Sequence, residues 1–475
     1  MRLTPSRASI RPVGFASRLT LSLVATATLG VPLVHAAPEP PPSQRPSQRV
    51  DARLAELVTP GALTSDQAAA RAVLTDPSVR RKDAVTRERE ASLDATERQR
   101  VPQLGASISY TRLSEVDMPE LAPGLSIPQV LDNTSFKLEL SVPLTDYFLR
   151  FPALVETQEL RLDAARVDRK VAEQAVDNRA RQLYWGWVRA QMRVLVSEQS
   201  LTQVQATASQ MKARVEAQRA SRADLLRIQA QVADVERGLA VARAQVVLAE
   251  QRLRQAIAAP IDERLAIGED VAAPLAGVIP ADDLPTLVAR ATTQRPELRM
   301  LELSISALER SRDATRAGLY PRLDAFGTFN YDDPNARVFL SDGGFDATWA
   351  LGVRLSWKLN DLLAVDPALD ATQAQIRQLR DDKESLVRQL ELAIADALTS
   401  ARVAQANHAA TLEAKHAAEE SYRIRAELLA NDRATAVELV DAESELTRVR
   451  VQEVDALIDL RLALANLRYA LGETP

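Results

Sequence analysis

Few residues in this 475-residue chain are spaced for chemistry, and those that are suggest electrostatics rather than catalysis. Glu438 and Asp441 stand three positions apart, so a helix would carry both carboxylates on one face. Asp224, followed by Leu225 as Glu438 is by Leu439, lies 214 positions earlier, and Arg222 and Arg433 sit close to these acids. Two acids on one face attract cations where the face is enclosed and are an ordinary solvated pattern where it is not. His408 and His416 are eight residues apart with no HExxH pattern, so they do not form a metal set. There is no glycine-rich phosphate loop and no GxSxG elbow. With no cysteine there is no thiolate nucleophile, thiolate metal site or disulfide. The chain is therefore expected not to be an enzyme, with no catalytic residue, metal site or cofactor.

The elements that must position these residues come in two copies. Ser92, Asp94, Ala95, Thr96, Pro102 and Leu104 recur as Ser311, Asp313, Ala314, Thr315, Pro321 and Leu323, an ungapped offset of 219. Leu140, Ser141, Leu144 and Asp146 return as Leu355, Ser356, Leu359 and Asp361 at 215, so the second copy has lost four residues from a loop. Each copy reads helix, strand, loop, strand, long helix, long helix.

The strand segments alternate with period two. Leu104, Ala106, Ile108 and Tyr110 face one way; so do Phe136, Leu138, Leu140, Val142 and Leu144. In the second copy Trp349, Leu351, Val353, Leu355, Trp357 and Leu359 alternate with polar residues. Leu323, Ala325, Gly327, Phe329 and Tyr331 make a weaker strand, with Phe326 on the polar side. Only 4% of the chain is aromatic, yet Tyr110, Phe136, Phe329, Tyr331, Trp349 and Trp357 all fall on apolar faces. A soluble half-buried sheet alternates in the same way, but aromatics clustered on an apolar band fit a membrane β-barrel. Four strands are too few to close one, since the smallest barrels have about eight, so several chains must share it.

The helical pattern is regular. Leu225, Ile228, Val232, Val235, Leu239, Ala242, Val246, Ala249, Leu253 and Ala256 step by three and four, and Leu439 to Ala470 repeat the seam, broken at Glu453. No proline interrupts Pro152 to about Arg219, and at ~1.5 Å per residue such a helix is on the order of 100 Å long. A similar helix is expected from Pro367 to about Leu429.

The ends add localisation. Arg2, Arg7, Arg11 and Arg18 precede an apolar stretch from Leu19 to Leu33 and a small-residue site at Val34-His35-Ala36, the pattern of an export signal. Its removal takes four arginines and no acid, so the formal charge goes from −5 to −9, with no basic stripe for nucleic acid. Without cysteine the exported chain is expected not to be lipidated. No other stretch reaches the ~20 apolar residues of a spanning helix. The expected organisation is 1–36 signal peptide, 37–63 Pro-rich leader, 64–259 first repeat, 260–285 inter-repeat segment and 286–475 second repeat. Residues 38–49 are expected to be mobile.

Over residues 64 to 472 this organisation resembles the TolC-type outer-membrane efflux proteins. The matching features are Pro102-Gln103-Leu104 and Pro321-Arg322-Leu323 before strands, Ser141-Val142-Pro143-Leu144 closing one, and the helix ends Leu253 to Ile257 and Leu467 to Gly472. The resemblance implies a mainly α fold with membrane β. In it a homotrimer closes a twelve-stranded barrel in the outer membrane, four strands per chain, continued by an α-helical coiled-coil tunnel in the periplasm.

It further implies a passive exit duct of a tripartite efflux or type I secretion system, fed by a periplasmic adaptor and an inner-membrane pump. The competing reading is an exported coiled-coil adaptor or structural protein without a pore. The family's acidic Val-Asp-Val-Leu-Asp-Ala stretch corresponds to Val437-Glu438-Leu439-Val440-Asp441-Ala442, which implies acid rings narrowing the pore. Asp224 matches an acid that locks the closed tip. The lock's tyrosine is replaced by Leu429 and its arginine by Ala434, beside Arg433, so Arg222 or Arg433 is expected to substitute. Leu265 to Asp270 is similar to the segment that braces the family tunnel midway, and a plain linker is the alternative.

Overall fold

The computed structural model describes residues 58–116, 131–271, 279–335, 337–338, 344–431 and 433–473. The expected signal peptide and the mobile stretch 38–49 lie outside the described residues, as do the tips of both strand-connecting loops. The first copy comprises β1 (Val58–Leu63), α1 (Ser65–Thr75), α2 (Pro77–Arg98), β2 (Gln103–Arg112), β3 (Asp132–Pro143), α3 (Leu144–Leu149), α4 (Phe151–Glu216) and α5 (Arg222–Ile257). The second comprises α6 (Leu284–Gln294), α7 (Pro296–Arg316), β4 (Arg322–Asp333), β5 (Asp346–Ser356), α8 (Leu359–Ala430) and α9 (Ala436–Leu471).

The repeat sets local structure residue by residue. Helices α1 and α6 start at Ser65 and Leu284, and α2 and α7 at Pro77 and Pro296, both at the offset of 219. The offset of 215 relates Leu144 to Leu359, where α3 and α8 begin. At 214, α5 and α9 agree at both ends, down to left-handed C-caps at Ala258 and Gly472.

Expectation and structure differ at a proline. Pro152 opens α4 after a break at Arg150, whereas its counterpart Pro367 lies inside α8, which starts at Leu359. A proline inside a helix removes one hydrogen bond and costs ~3 kcal/mol. In a helix of 72 residues, packing along the remaining length offsets that cost.

The four strands form one antiparallel sheet in the order β2-β3-β4-β5. The register aligns the apolar sets: Ile108 opposes Phe136, which opposes Tyr331, and Leu138 opposes Phe329, which opposes Trp349. That face stands open in the chain, with Ile108 77% and Leu351 76% exposed. Strand β4, the weakest by sequence, is 12 residues long and paired on both sides.

The opposite face is polar, with Lys137 and Glu139 ion-paired at 2.7 Å and Arg322 and Asp324 at 2.9 Å. Phe326 lies on this face beneath the Arg354 guanidinium, 4.9 Å from its ring centre. A Cβ at position 352 would come 2.8 Å from that ring, which explains the glycine in β5.

Helix α4 packs against α1, α2, α5, α7 and α9. Its buried Tyr184, Trp187, Val188 and Met192 meet Leu253 and Ile257 of α5, Val454 and Ile458 of α9, and the alanines of α1. Small residues on α1 let its backbone approach these large side chains. The α5 seam is the buried stripe read from sequence, from Ile228 through Leu239 and Ala242 to Leu253. Glu453, which breaks the α9 seam, is paired with Lys415 of α8 at 2.8 Å.

The inter-repeat segment is anchored rather than a plain linker, although residues 272–278 are outside the described set. Ile267 bridges Val58 and Leu63 of β1, so the end of the expected leader is a strand. The Gly268 amide donates to the Leu63 carbonyl at 2.9 Å. Glu263 is held by Arg71 at 2.6 Å, and buried Arg254 donates to the carbonyls of Pro260 and Glu263.

Candidate gate at the helical turns

The candidate site lies where α4 turns into α5 and α8 into α9. Both second helices begin with a capping box. Ser221 accepts from the Asp224 amide at 3.1 Å while Asp224 accepts from the Ser221 amide at 3.2 Å. Thr435 and Glu438 repeat this at 3.3 and 2.8 Å. The two acids singled out by the repeat therefore share a structural duty, satisfying amides that the first helical turn leaves free. The Thr435 amide, then its hydroxyl, and more weakly Arg425 hold the Glu438 carboxyl below the usual carboxylate range.

Asp441, one turn further, faces Arg227 of α5 at 3.5 Å, which links the two copies across the turns. Arg425 of α8 stands 3.7 Å from Glu438. Arg227 and Arg425 are thus the arginines placed against these acids. Arg222 is the first residue of α5 and makes no ion pair among the described residues, while Arg433 lines a groove with Glu438, Arg425 and Ala434. Leu429 packs beside Met211, Ile228, Ala436 and Val440, an apolar plug under the turns.

Sequence reading missed two charged residues near this site. Glu443 and Arg450 of α9 are 1% and 4% exposed. They fall on a second buried face, Val440, Glu443, Arg450, Val454 and Ile458, beside the seam through Leu439 and Leu446. The spacing of seven between Glu443 and Arg450 was the available signal. Burial pushes the Glu443 carboxyl up to about 7.

The aromatic set divides by height along the sheet. Tyr110 lies near the loop end of β2, and Tyr331 stacks on Phe345 at 4.9 Å near the loop end of β4. Phe136 pairs with Tyr331, Phe329 and Trp349 pair nearer the middle, and Trp357 follows the last residue of β5 at the helical end. All six share the apolar side in sequence alternation, but they do not form a single ring.

Among curated proteins no sequence matches this chain. Solved structures do match in fold. CusC, described for conformational changes accompanying folding and transmembrane channel formation, has a TM-score of 0.74 at 16% identity, covering 88% of this chain and 94% of that one. The open state of the Neisseria gonorrhoeae outer membrane channel MtrE gives 0.72 at 18%, covering 86% and 88%. The outer membrane protein VceC of Vibrio cholerae gives 0.67 at 18%, covering 90% and 97%. At such identities the likeness establishes the fold alone. The family of outer membrane efflux proteins matches residues 69–259 and 287–473, both repeats nearly in full. With most of its length inside that match, this chain belongs to the outer membrane efflux protein family.

Proposed function

We propose that three copies of this chain close one twelve-stranded barrel in the outer membrane and join their helices into a periplasmic tunnel. The protein is an outer-membrane efflux channel, a passive exit duct. The observation that carries the trimer is the sheet: four antiparallel strands, one face apolar and open, and outer strands β2 and β5 each with an edge that pairs with no strand among the described residues. Such edges and such a face are satisfied together when neighbouring sheets join edge to edge within lipid. The 66 residues of α4 and 72 of α8 are each roughly 100 Å long at ~1.5 Å per residue, enough to cross an aqueous compartment. A periplasmic adaptor and an inner-membrane pump supply substrate and energy.

In this reading the helical turns are the tunnel's closed tip, three copies of Glu438 and Asp441 ring its lumen, and Asp224 caps the outer pair. The gate is held by Arg227 on Asp441 and Arg425 on Glu438, with Arg222 and Arg433 at its rim. Tyr110, Phe136, Phe329, Tyr331, Trp349 and Trp357 contact lipid. Solvated ion pairs of this kind are weak and screened by salt, so such a gate opens readily when an adaptor competes for the same charges. Purified protein in planar bilayers should conduct, with cation preference that weakens in the Glu438→Gln, Asp441→Asn double variant. A monomer without pores would overturn the channel reading, and unchanged reversal potentials would remove the two acids from the lumen.

A further inference from the structure

One turn above the apolar plug, a polar layer crosses the interface of α4, α8 and α9. Its centre is Glu443, whose carboxylate oxygens are both buried with no hydrogen-bond partner among the described residues. Helix α4 contributes Gln203 and Thr207, which meet the Tyr422 hydroxyl of α8, and no charged side chain at this level. Helix α8 contributes Tyr422 and Glu419, and α9 itself contributes Arg450. Arg450 is turned toward Glu419 at 3.5 Å, so the buried cation is engaged elsewhere. On the α5 flank Gln231 bonds Ser444 at 3.0 Å and Arg227 faces Asp441. Beyond the layer α9 is tied to α4 by Ser200 and Thr447 at 2.8 Å and by Arg193 on Asp455 at 2.9 Å. Glu443 is thus an acid without a counter-ion of its own, set between a well-tied stretch of α9 and its first turns, which carry Glu438 and Asp441.

We propose that Glu443 makes the seating of the α9 tip on α4 and α8 depend on protons: neutral, it completes a dry three-helix seam, and ionised, it drives the tip of α9 outward. This rests on the reading of the helical turns as a gate. The packed layer holds its proton more tightly than a solvated carboxyl would, which fixes the sign. Seating is fully favoured below the ordinary carboxylate range, weakens as pH rises from there toward about 7, and levels off above. The equilibrium between seated and released tips should shift by roughly tenfold per pH unit across that window. Because the burial is within one chain, the device acts in each protomer independently of assembly.

The test is single-channel recording of the full protein between pH 5 and pH 8, for wild type, Glu443→Gln and Glu443→Leu. Wild type should open more often as pH rises, while both variants, neutral at every pH, should stay at the acid level. A conducting wild type indifferent to pH, or variants that keep its pH response, would overturn the proposal. If the protein does not conduct, the channel reading fails instead, and the layer is read from thermal unfolding. There, a loss of wild-type stability relative to Glu443→Gln from pH 5 toward pH 7 sustains the proton-sensitive seam, and a pH-independent difference overturns it.

Discussion

Replacing Leu351 by arginine tests whether the open apolar face belongs in lipid. Leu351 is the sixth of the eleven residues of β5 and is 76% exposed. Eleven residues at ~3.4 Å, tilted by ~40°, rise about 28 Å, close to the ~25 Å apolar band of outer-membrane barrels. Leu351 therefore lies near the bilayer midplane, where an arginine costs ~2–4 kcal/mol per chain, or about 6–12 kcal/mol for three chains in one barrel. On a water-facing surface the same change would stay within about 0.5 kcal/mol. Leu351 also leans over Gly327, so Leu351→Ala measures the packing share, and Thr328→Arg, on the polar face opposite Glu139, controls for added charge. Urea titration of refolding into lipid vesicles, followed by the mobility of the folded band, reads the difference. If Leu351→Arg and Thr328→Arg fold with equal stability, the face does not meet lipid and the barrel argument fails.

The other expectations concern the brace and the gate. Gly268→Ala places a Cβ 2.1 Å from the Ala62 carbonyl oxygen, so the β1 bridge must shift, at ~1–3 kcal/mol. Gly105→Ala, whose nearest new neighbour is 4.0 Å away, should leave thermal unfolding in detergent far less changed. Thr435→Ala removes a capping side chain and should speed amide exchange in the first turn of α9 about fivefold, with Ser221→Ala doing the same for α5. The Glu438 half of the cap is fully present above the ordinary carboxylate range and is lost as pH falls through its lowered value. The protection of the Thr435 amide relative to its intrinsic exchange rate should thus fall only in acid; a loss of protection toward neutral pH would contradict the box.

Much of this fold was legible because one pattern is written twice. Offsets of 219, 215 and 214 locate equivalent starts at Ser65 and Leu284, Leu144 and Leu359, and Arg222 and Ala436, and period two placed the sheet faces. What escaped was set by tertiary packing. Pro152 and Pro367 read alike, yet only the first follows a helix break, because one missing hydrogen bond does not decide the fate of a long packed helix. Glu443 and Arg450 went unremarked because a single seam was sought, whereas α9 is covered by α8 on one side and α4 on another. The candidate site was half legible: Asp224 and Glu438 stood out through the repeat and Asp441 through the family resemblance, but the capping duty of the first two and the partners Arg227 and Arg425 depend on how the turns fold.

The free edges of β2 and β5 bear on biogenesis. A newly exported chain has two strand edges and an apolar sheet face to hide before any neighbour arrives, so the solitary subunit is the hazardous species. Its productive life should depend steeply on subunit concentration, and on an escort that occupies these edges during transit. If three chains close one barrel as proposed, joining β2 to β5 in the wrong number of copies would yield closed but non-native rings, making assembly rather than helix formation the step most sensitive to overexpression.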